Sequence, residues 1–583
     1  MTSDQSEPND SLPVSVNRGR LIPMGRLPGI LEKRGVVGWI LAGVLVTAAA
    51  LYVGLLRPAS FGAYHDDGMY VVLAKALATG QGYKVISLPL EPDQTKSPPL
   101  FPFVLSLIWK LYPQFPQNVT LMMLLSALAT VMFLALAWRY LVRQGYAGQG
   151  QALIIVTLAA LNWRTIILAT GVYSEMLYGL LSVGTLYLAE KHEKERIRPI
   201  GGVVLGLVMG LAFLVRSSAI ALPVSVVAYY LMKKRWRNAL IPASIAGMFV
   251  LGWLVWGYFH RPLTDSANAG YYESYLSTLT QVVAGGEGIG SKLSSLFGLI
   301  TQNGFMLIFV TAPAVTLGLG YEWTQNVPGI LMAIGFVLFA MTFMFILGGF
   351  FRFRKTGFRL LHAYVAVYVL IHMLWPYAAY DRFLMPLLPW LLLFLTSELK
   401  LLATSARKEL NANTAIAKKL SAALMSVVLL LLCGFAVYNV QAGIRTLRSS
   451  EKEKTRFLED EEAIQWLKAN AAHSDVIVCY RDPTYYLHTG LKAIRSISAR
   501  EGGLTQESSA APDEQVTVIF RIIAESNARY LVVTSTDYEQ EDQADLQRAS
   551  LKALIEQNPL RFIVVFESTT GGSRIYRIED GNK

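Results

Sequence analysis

The sequence predicts a mainly α-helical, polytopic membrane protein that ends in a small extracytoplasmic α/β domain, and three observations carry this. First, the chain is 53% hydrophobic and only 16% charged over 583 residues, with a mean hydropathy of +0.40, more apolar than a soluble domain requires. Second, apolar runs long enough to cross a bilayer recur along residues 36–440. Third, residues 441–583 change to charged stretches alternating with short β-rich runs. The formal net charge of +11 does not indicate a nucleic-acid partner. The basic residues sit in short clusters beside apolar runs, "EKRG", "MKKRWRN", "FRFRKTGFR", "ARKEL" and "AKK", as cytoplasmic loops do under the positive-inside rule. Cys433 and Cys479 provide neither a disulfide framework nor a metal-ligand cluster.

In chain order, residues 1–35 form a polar tail too long and hydrophilic for a cleavable signal peptide. Arg18, Arg20, Arg26, Lys33 and Arg34 place that tail in the cytoplasm. Apolar runs near 36–56, 119–142, 150–170, 174–190, 200–215, 217–232, 239–257, 329–350, 359–377, 383–399 and 418–440 give about 11 transmembrane helices. A further run near 300–322 is read as interfacial or re-entrant, because a crossing there would turn "FRFRKTGFR" outward. Residues 57–118 and 258–328 are then large extracytoplasmic loops, and 441–583 an extracytoplasmic domain of a multi-pass inner (plasma) membrane protein.

The first outer loop begins "YHDDGMYVVLAKALATGQGY". Met69, Val72, Leu73, Ala76 and Leu77 recur at helical spacing and Gly80 and Gly82 stop the run, so an amphipathic helix lies at the outer face. Asp66 and Asp67 stand at its N-terminus. One Asp there serves as a cap stabilised by the helix dipole by roughly 0.3–1 kcal/mol. A second, beside His65 and between Tyr64 and Tyr70, exceeds what capping needs. Pro98 and Pro99 then break the chain before a second juxtamembrane helix, Leu100 through Leu111, with Lys96 at the break.

Three more polar residues stand where spans meet the outside: Glu175 in "GVYSEMLYG", Arg216 in "AFLVRSSAI" and Arg382 in "YAAYDRFLMPLLPW". An Arg within a span costs roughly 2.5–3.5 kcal/mol on insertion scales and therefore faces a cavity or a partner. The blander roles are Lys96 as a snorkelling anchor, Glu175 with Ser174 as a helix cap, and Arg382 paired with Asp381. All six charged residues fall on one side of the predicted membrane. Acids and cations together at one face suit a ligand with a phosphate head and a lipid tail.

Beyond residue 441, "EEAIQWLKANAA", "EQVTVIFRIIAESN" and "ADLQRASLKALIEQ" read as helices, and "DVIVCY", "RYLVVTST", "RFIVVFES" and "SRIYRIE" as strands. They make a layered α/β domain. No glycine-rich phosphate loop follows a strand, so it reads as a recognition or stabilising module.

The order of these features resembles the C-type (polytopic) membrane glycosyltransferases, in particular the bacterial relatives of protein O-mannosyltransferases and of the lipid A aminoarabinose transferase. The likeness is carried by "HDDGMYVVLAKALATGQGY", "KSPPLFPFVLSLIWKL", "YSEMLYGLLS", "GLVMGLAFLVRSSAI" and "DRFLMPLLPWLLL", with the distal α/β domain. It implies a glycosyltransferase-C-like fold and a transferase that moves a sugar from a polyprenyl-phosphate carrier to an extracytoplasmic acceptor in the cell envelope. It implies Asp66 as general base with Asp67 beside it, where the family often has Glu. The family's Lys-Pro-Pro reads Lys-Ser-Pro-Pro here, displacing Lys96 by one residue.

On chemical grounds a carboxylate suits deprotonation of an acceptor hydroxyl, and Lys96, Arg216 and Arg382 suit binding of the departing phosphate. Glu175, His65 and Tyr64 are candidates for organising the site or the acceptor. Direct displacement inverts the anomeric centre. Adjacent Asp residues are compatible with a divalent cation, although no complete ligand set is present. The competing readings are a secondary transporter or lipid flippase, which places ionisable residues near the midplane, and a non-catalytic envelope scaffold.

Overall fold

The computed structural model describes residues 34–62, 65–194, 199–261, 275, 279–280, 288–319, 329–355, 359–375, 381–409, 437–445, 450–496, 512–535, 537–538 and 544–579. The polar tail, Tyr64, most of the 258–287 stretch and most of the run near 418–440 lie outside the described residues.

The apolar runs become helices α1 (Arg34–Gly54), α4 (Asn118–Arg143), α5 (Gln149–Leu161), α6 (Trp163–Thr170), α7 (Glu175–Lys194), α8 (Pro199–Val215), α9 (Ala221–Met232) and α10 (Trp236–Phe259). They continue as α11 (Ile289–Leu317), α12 (Gly329–Lys355), α13 (Leu360–Met373) and α14 (Leu388–Glu409), the last entered through a 3-10 turn over Asp381–Leu387. Among the described residues six helices are long and apolar enough to cross a membrane, or seven if α5 and α6 count as one span bent by 61°. The chain is a multi-pass membrane protein.

Two interruptions of these helices have local causes. At the bend, Asn162 leaves the helical region (φ −61°, ψ 129°), and its Oδ1 accepts the Arg164 amide at 3.0 Å as the N-cap of α6. Its Nδ2 donates to the Val315 carbonyl at 2.9 Å, so the break is sealed by the end of α11. At Arg216, extended backbone (φ −148°, ψ 133°) separates α8 from a short 3-10 turn that leads into α9.

The run expected near 300–322 as an interfacial or re-entrant piece is part of a longer helix. It begins at Ile289 and carries a π-helical turn at Met306–Thr311. By length and composition it is sufficient for a crossing. The small and polar residues Gly290, Ser291, Lys292, Ser294 and Ser295 interrupt its apolar pattern and hide its first turns from a periodicity reading.

In the first outer loop, α2 (His65–Ala78) and α3 (Leu100–Leu111) form as expected and pack on one another. Tyr70 meets Phe101 edge to face at 5.0 Å between ring centroids. α3 is two-faced: Phe101, Leu105 and Trp109 are buried while Phe103, Leu107 and Leu111 form an exposed apolar stripe, the pattern of an interfacial helix. α2 is buried on more sides than an interfacial helix, with Met69, Val71, Val72, Leu73, Ala74 and Ala76 all inside. The C-terminal domain covers its remaining face.

That domain has a five-stranded sheet of order β2-β1-β3-β5-β4, with β1 Val476–Cys479, β2 Lys492–Arg495, β3 Tyr530–Thr534, β4 Phe562–Glu567 and β5 Ser573–Ile578. β1 pairs in parallel with β2 and β3, whereas β5 runs antiparallel to β3 and β4. The strand period of two sorts the side chains by face. Ile477, Cys479, Tyr530 and Val532 join the core beneath α15 (Ser450–Asn470). Val478, Leu531 and Tyr576 join a second core with α17 (Pro512–Ser526) and α18 (Ala544–Gln557). Met69, Leu73, Tyr83, Val85 and Leu88 of the first outer loop belong to that second core. One strand, β2, and one helix, α16 (Asp482–Thr489), were not anticipated. Both are short, four and eight residues, below the length at which periodicity is informative.

Candidate active site

The N-terminus of α2 meets the entry to α7, the break after α8 and the 3-10 turn before α14, and the charged residues expected on one face converge there. Arg382 Nη2 donates to Asp66 Oδ2 at 2.5 Å. Arg382 Nε lies 3.9 Å from Glu175 Oε1, and Arg216 Nη1 lies 2.9 Å from that same oxygen. Arg216 Nη1 also donates to Ser174 Oγ at 2.9 Å, and Tyr70 Oη lies 3.2 Å from Ser174 Oγ. Glu175 is 1% exposed, a buried carboxylate between two guanidiniums, as unpaired burial would be prohibitive.

Arg382 was also compatible with pairing to its neighbour Asp381. That carboxylate instead pairs with Arg164, which frees Arg382 to face α2. Arg164 sits on the first turn of α6, stacked on the Trp163 ring at 3.9 Å. The sequence does not single out Arg164, and it offers Ser174 only as a helix cap with Glu175 and Tyr70 only as a neighbour of the acids.

Asp66 lies deep among protein atoms yet keeps 43% of its side-chain surface open, which leaves an approach for a reactant. Burial would raise its pKa, but the Arg382 guanidinium, with a further contribution from Lys96, holds the carboxyl well below the usual carboxylate range. The Lys96 ammonium lies 5.6 Å from the Tyr275 ring centroid.

Asp67 is used differently from its neighbour. It is 3% exposed, and its carboxylate accepts the amides of Gly62 at 2.9 Å and Gly68 at 2.7 Å, tying the turn before α2 to the helix start. The two adjacent acids thus have different surroundings. Asp67 answers backbone donors and Asp66 answers cations. His65 Nε2 lies 2.9 Å from Asp482 Oδ1 on α16, a residue 417 positions away that no sequence pattern links to it. Tyr64 lies outside the described residues.

A divalent cation at the adjacent acids would compete with Arg382 for Asp66 and with the amides of Gly62 and Gly68 for Asp67. Among the described residues no group of three or more His, Cys, Asp or Glu side chains is arranged to hold a metal ion.

The model of glycosyltransferase family 87 matches residues 98–315. No curated protein matches the chain. Among solved structures, the oligosaccharyltransferase of Archaeoglobus fulgidus in the apo form superposes with a TM-score of 0.51 at 12% identity, covering 95% of this chain and 75% of that one. ArnT from Cupriavidus metallidurans bound to undecaprenyl phosphate gives a TM-score of 0.48 at 13% identity, covering 93% and 98%. The archaeal oligosaccharyltransferase AglB from the same Archaeoglobus species, in complex with an inhibitory peptide and a dolichol-phosphate, gives 0.49 at 13% identity, covering 93% and 74%. The likeness to the apo oligosaccharyltransferase extends over nearly all of this chain. This chain has the polytopic fold of the C-type membrane glycosyltransferases, with a segment matching glycosyltransferase family 87.

Proposed function

We propose that the protein is an inverting membrane glycosyltransferase. It takes a sugar from a polyprenyl-phosphate donor and delivers it to a hydroxyl of an envelope glycan, lipid or protein outside the cytoplasm. The observation that carries this reading is the Asp66 carboxylate held at 2.5 Å by Arg382 in a cluster shared with Glu175 and Arg216. A partly open carboxylate beside clustered cations matches the two needs of glycosyl transfer from a phosphate.

In this mechanism the donor phosphate enters among Arg382, Arg216 and Lys96, whose charges match a phosphate that becomes more anionic as the glycosidic bond breaks. As Arg382 turns from Asp66 to the phosphate, the carboxylate loses its strongest partner and becomes more basic. The acceptor hydroxyl passes its proton to Asp66 while its oxygen attacks the anomeric carbon. The bond from that carbon to the phosphate oxygen breaks with its electron pair, releasing polyprenyl phosphate. Displacement from the opposite face inverts the anomeric centre. Glu175 orients the two guanidiniums, and Asp67 holds the helix start.

On this reading the protein sits in the inner membrane with a cytoplasmic N-terminus and its site outside. The test is release of free polyprenyl phosphate from a panel of polyprenyl-phosphate sugars by protein in lipid bilayers with an envelope acceptor fraction. Release that depends on acceptor and is lost in Asp66→Asn is expected. Absence of release from every donor, with folded protein, rejects the reading and favours the transporter or flippase alternative.

A further inference from the structure

The C-terminal domain meets the first outer loop through specific contacts at the start of α2, beside Asp66. His65 and Asp482 are 2.9 Å apart, and Asp482 is fully buried. Two glycines flank the acids in sequence, and α16 approaches both. A Cβ on Gly68 would lie 2.9 Å from Pro483 Cβ, and one on Gly62 would lie 2.2 Å from Thr484 Oγ1. Gly62 also has φ +81°, a conformation that side chains disfavour. Further along, the Lys75 ammonium stands 4.6 Å over the Tyr486 ring. The Ala493 amide donates to the Ser87 carbonyl at 2.8 Å, Lys492 Nζ donates to the Ile86 carbonyl at 2.7 Å, and Lys492 pairs with Glu91.

From this geometry we infer that Asp482 of the C-terminal domain is a positioning residue for Asp66, acting through His65, so that the distal domain completes the active site rather than only selecting or stabilising. Asp66 stands between two anchored neighbours. His65 is held by Asp482 across the domain boundary, and Asp67 is held by the amides of Gly62 and Gly68. With the backbone fixed on both sides, Asp66 retains little freedom beyond its own side-chain rotation. A buried carboxylate on one ring nitrogen fixes the imidazole's tautomer and orientation, and the glycines let α16 come close enough for that contact. Loss of the anchor lets the helix start shift, and a displacement near 1 Å at a reacting group costs on the order of 100-fold in rate.

The inference rests on the reading of Asp66 as the base, so its test has two independent arms, both on the full-length protein in nanodiscs. Hydrogen exchange is followed peptide by peptide in wild type, Asp482→Asn and Asp482→Glu. Faster exchange confined to the start of α2 is expected for Asp482→Asn, with protection of β3 and β5 unchanged and with partial recovery in Asp482→Glu. In the transfer assay, kcat of Asp482→Asn falls about 10- to 100-fold with donor KM within about twofold. The Asp482→Asn, His65→Ala double variant is expected to be no slower than His65→Ala alone, as residues acting through one contact are non-additive. Unchanged exchange at the start of α2, an unchanged kcat, or additive losses in the double variant overturn the inference. A wild type that turns over no donor rejects the glycosyltransferase reading, and the exchange arm still decides whether Asp482 positions α2.

Discussion

Replacing Arg382 with Gln tests the link between the cationic cluster and the base. In the resting protein Arg382 donates to Asp66 at 2.5 Å and keeps its carboxyl ionised well below the usual range against the opposing effect of burial. A hydrogen bond to a charged group contributes about 1.5–3 kcal/mol, equivalent to about 1–2 pH units. Because Asp66 is 43% exposed at the side chain, solvent screening favours the lower end, about one unit. The sign follows from which form Arg382 stabilises. Without it the charged form loses its main support, burial remains, and the pKa of Asp66 rises. Between about pH 4 and pH 8 the wild-type kcat/KM, which reports groups on the free enzyme, is expected to show no acid limb from Asp66. A rise of about one unit from so low a value leaves Arg382→Gln without one over that range as well, so the coupling is read by titrating Asp66 itself, from its carboxylate band in isotope-edited infrared difference spectra. Arg382→Gln is expected to move that titration up by about one unit and to have a weaker hold on donor. An Asp66 titration unchanged from wild type would refute the coupling. So would one that moved to lower pH.

Asp66→Asn is expected to reduce transfer by about 10²–10⁴-fold while polyprenyl phosphate still binds, measured by turnover and by ligand-induced thermal stabilisation. Glu175→Gln leaves Arg216 and Arg382 without the carboxylate between them. Breaking such a buried pair costs about 3–5 kcal/mol, visible as a lower unfolding midpoint that added lipid phosphate partly restores by supplying an anion. Gly68→Ala places a methyl group 2.9 Å from Pro483 Cβ, and overpacking of this kind costs about 1–3 kcal/mol. Faster proteolysis in the segment joining β1 to β2 is expected, and an unchanged cleavage pattern would count against the tight approach of α16 to α2.

What the sequence by itself determined follows from short-range physics. A bilayer demands long apolar helices whose backbone groups are satisfied within the helix, so α1, α4, α10 and α12 are visible as runs of composition. The cost of a guanidinium in an apolar segment marks Arg216 and Arg382, and a helix stop made of Gly80 and Gly82 marks the end of α2. These signals are local and survive without neighbours. They show which charges are expensive, but not which charge answers which. Asp381 and Asp66 were equally available to Arg382 in sequence. Only the packed fold gives Arg164 to the first and Arg382 to the second. Likewise Asp66 and Asp67 are chemically alike and adjacent. Only the packed turn aims two amides at Asp67 and leaves Asp66 facing Arg382. The contact of His65 with Asp482 spans 417 residues and joins a membrane loop to a distal domain. Such a pairing exists only once the first outer loop and the C-terminal domain pack into shared cores, because no local propensity encodes contacts made at that separation.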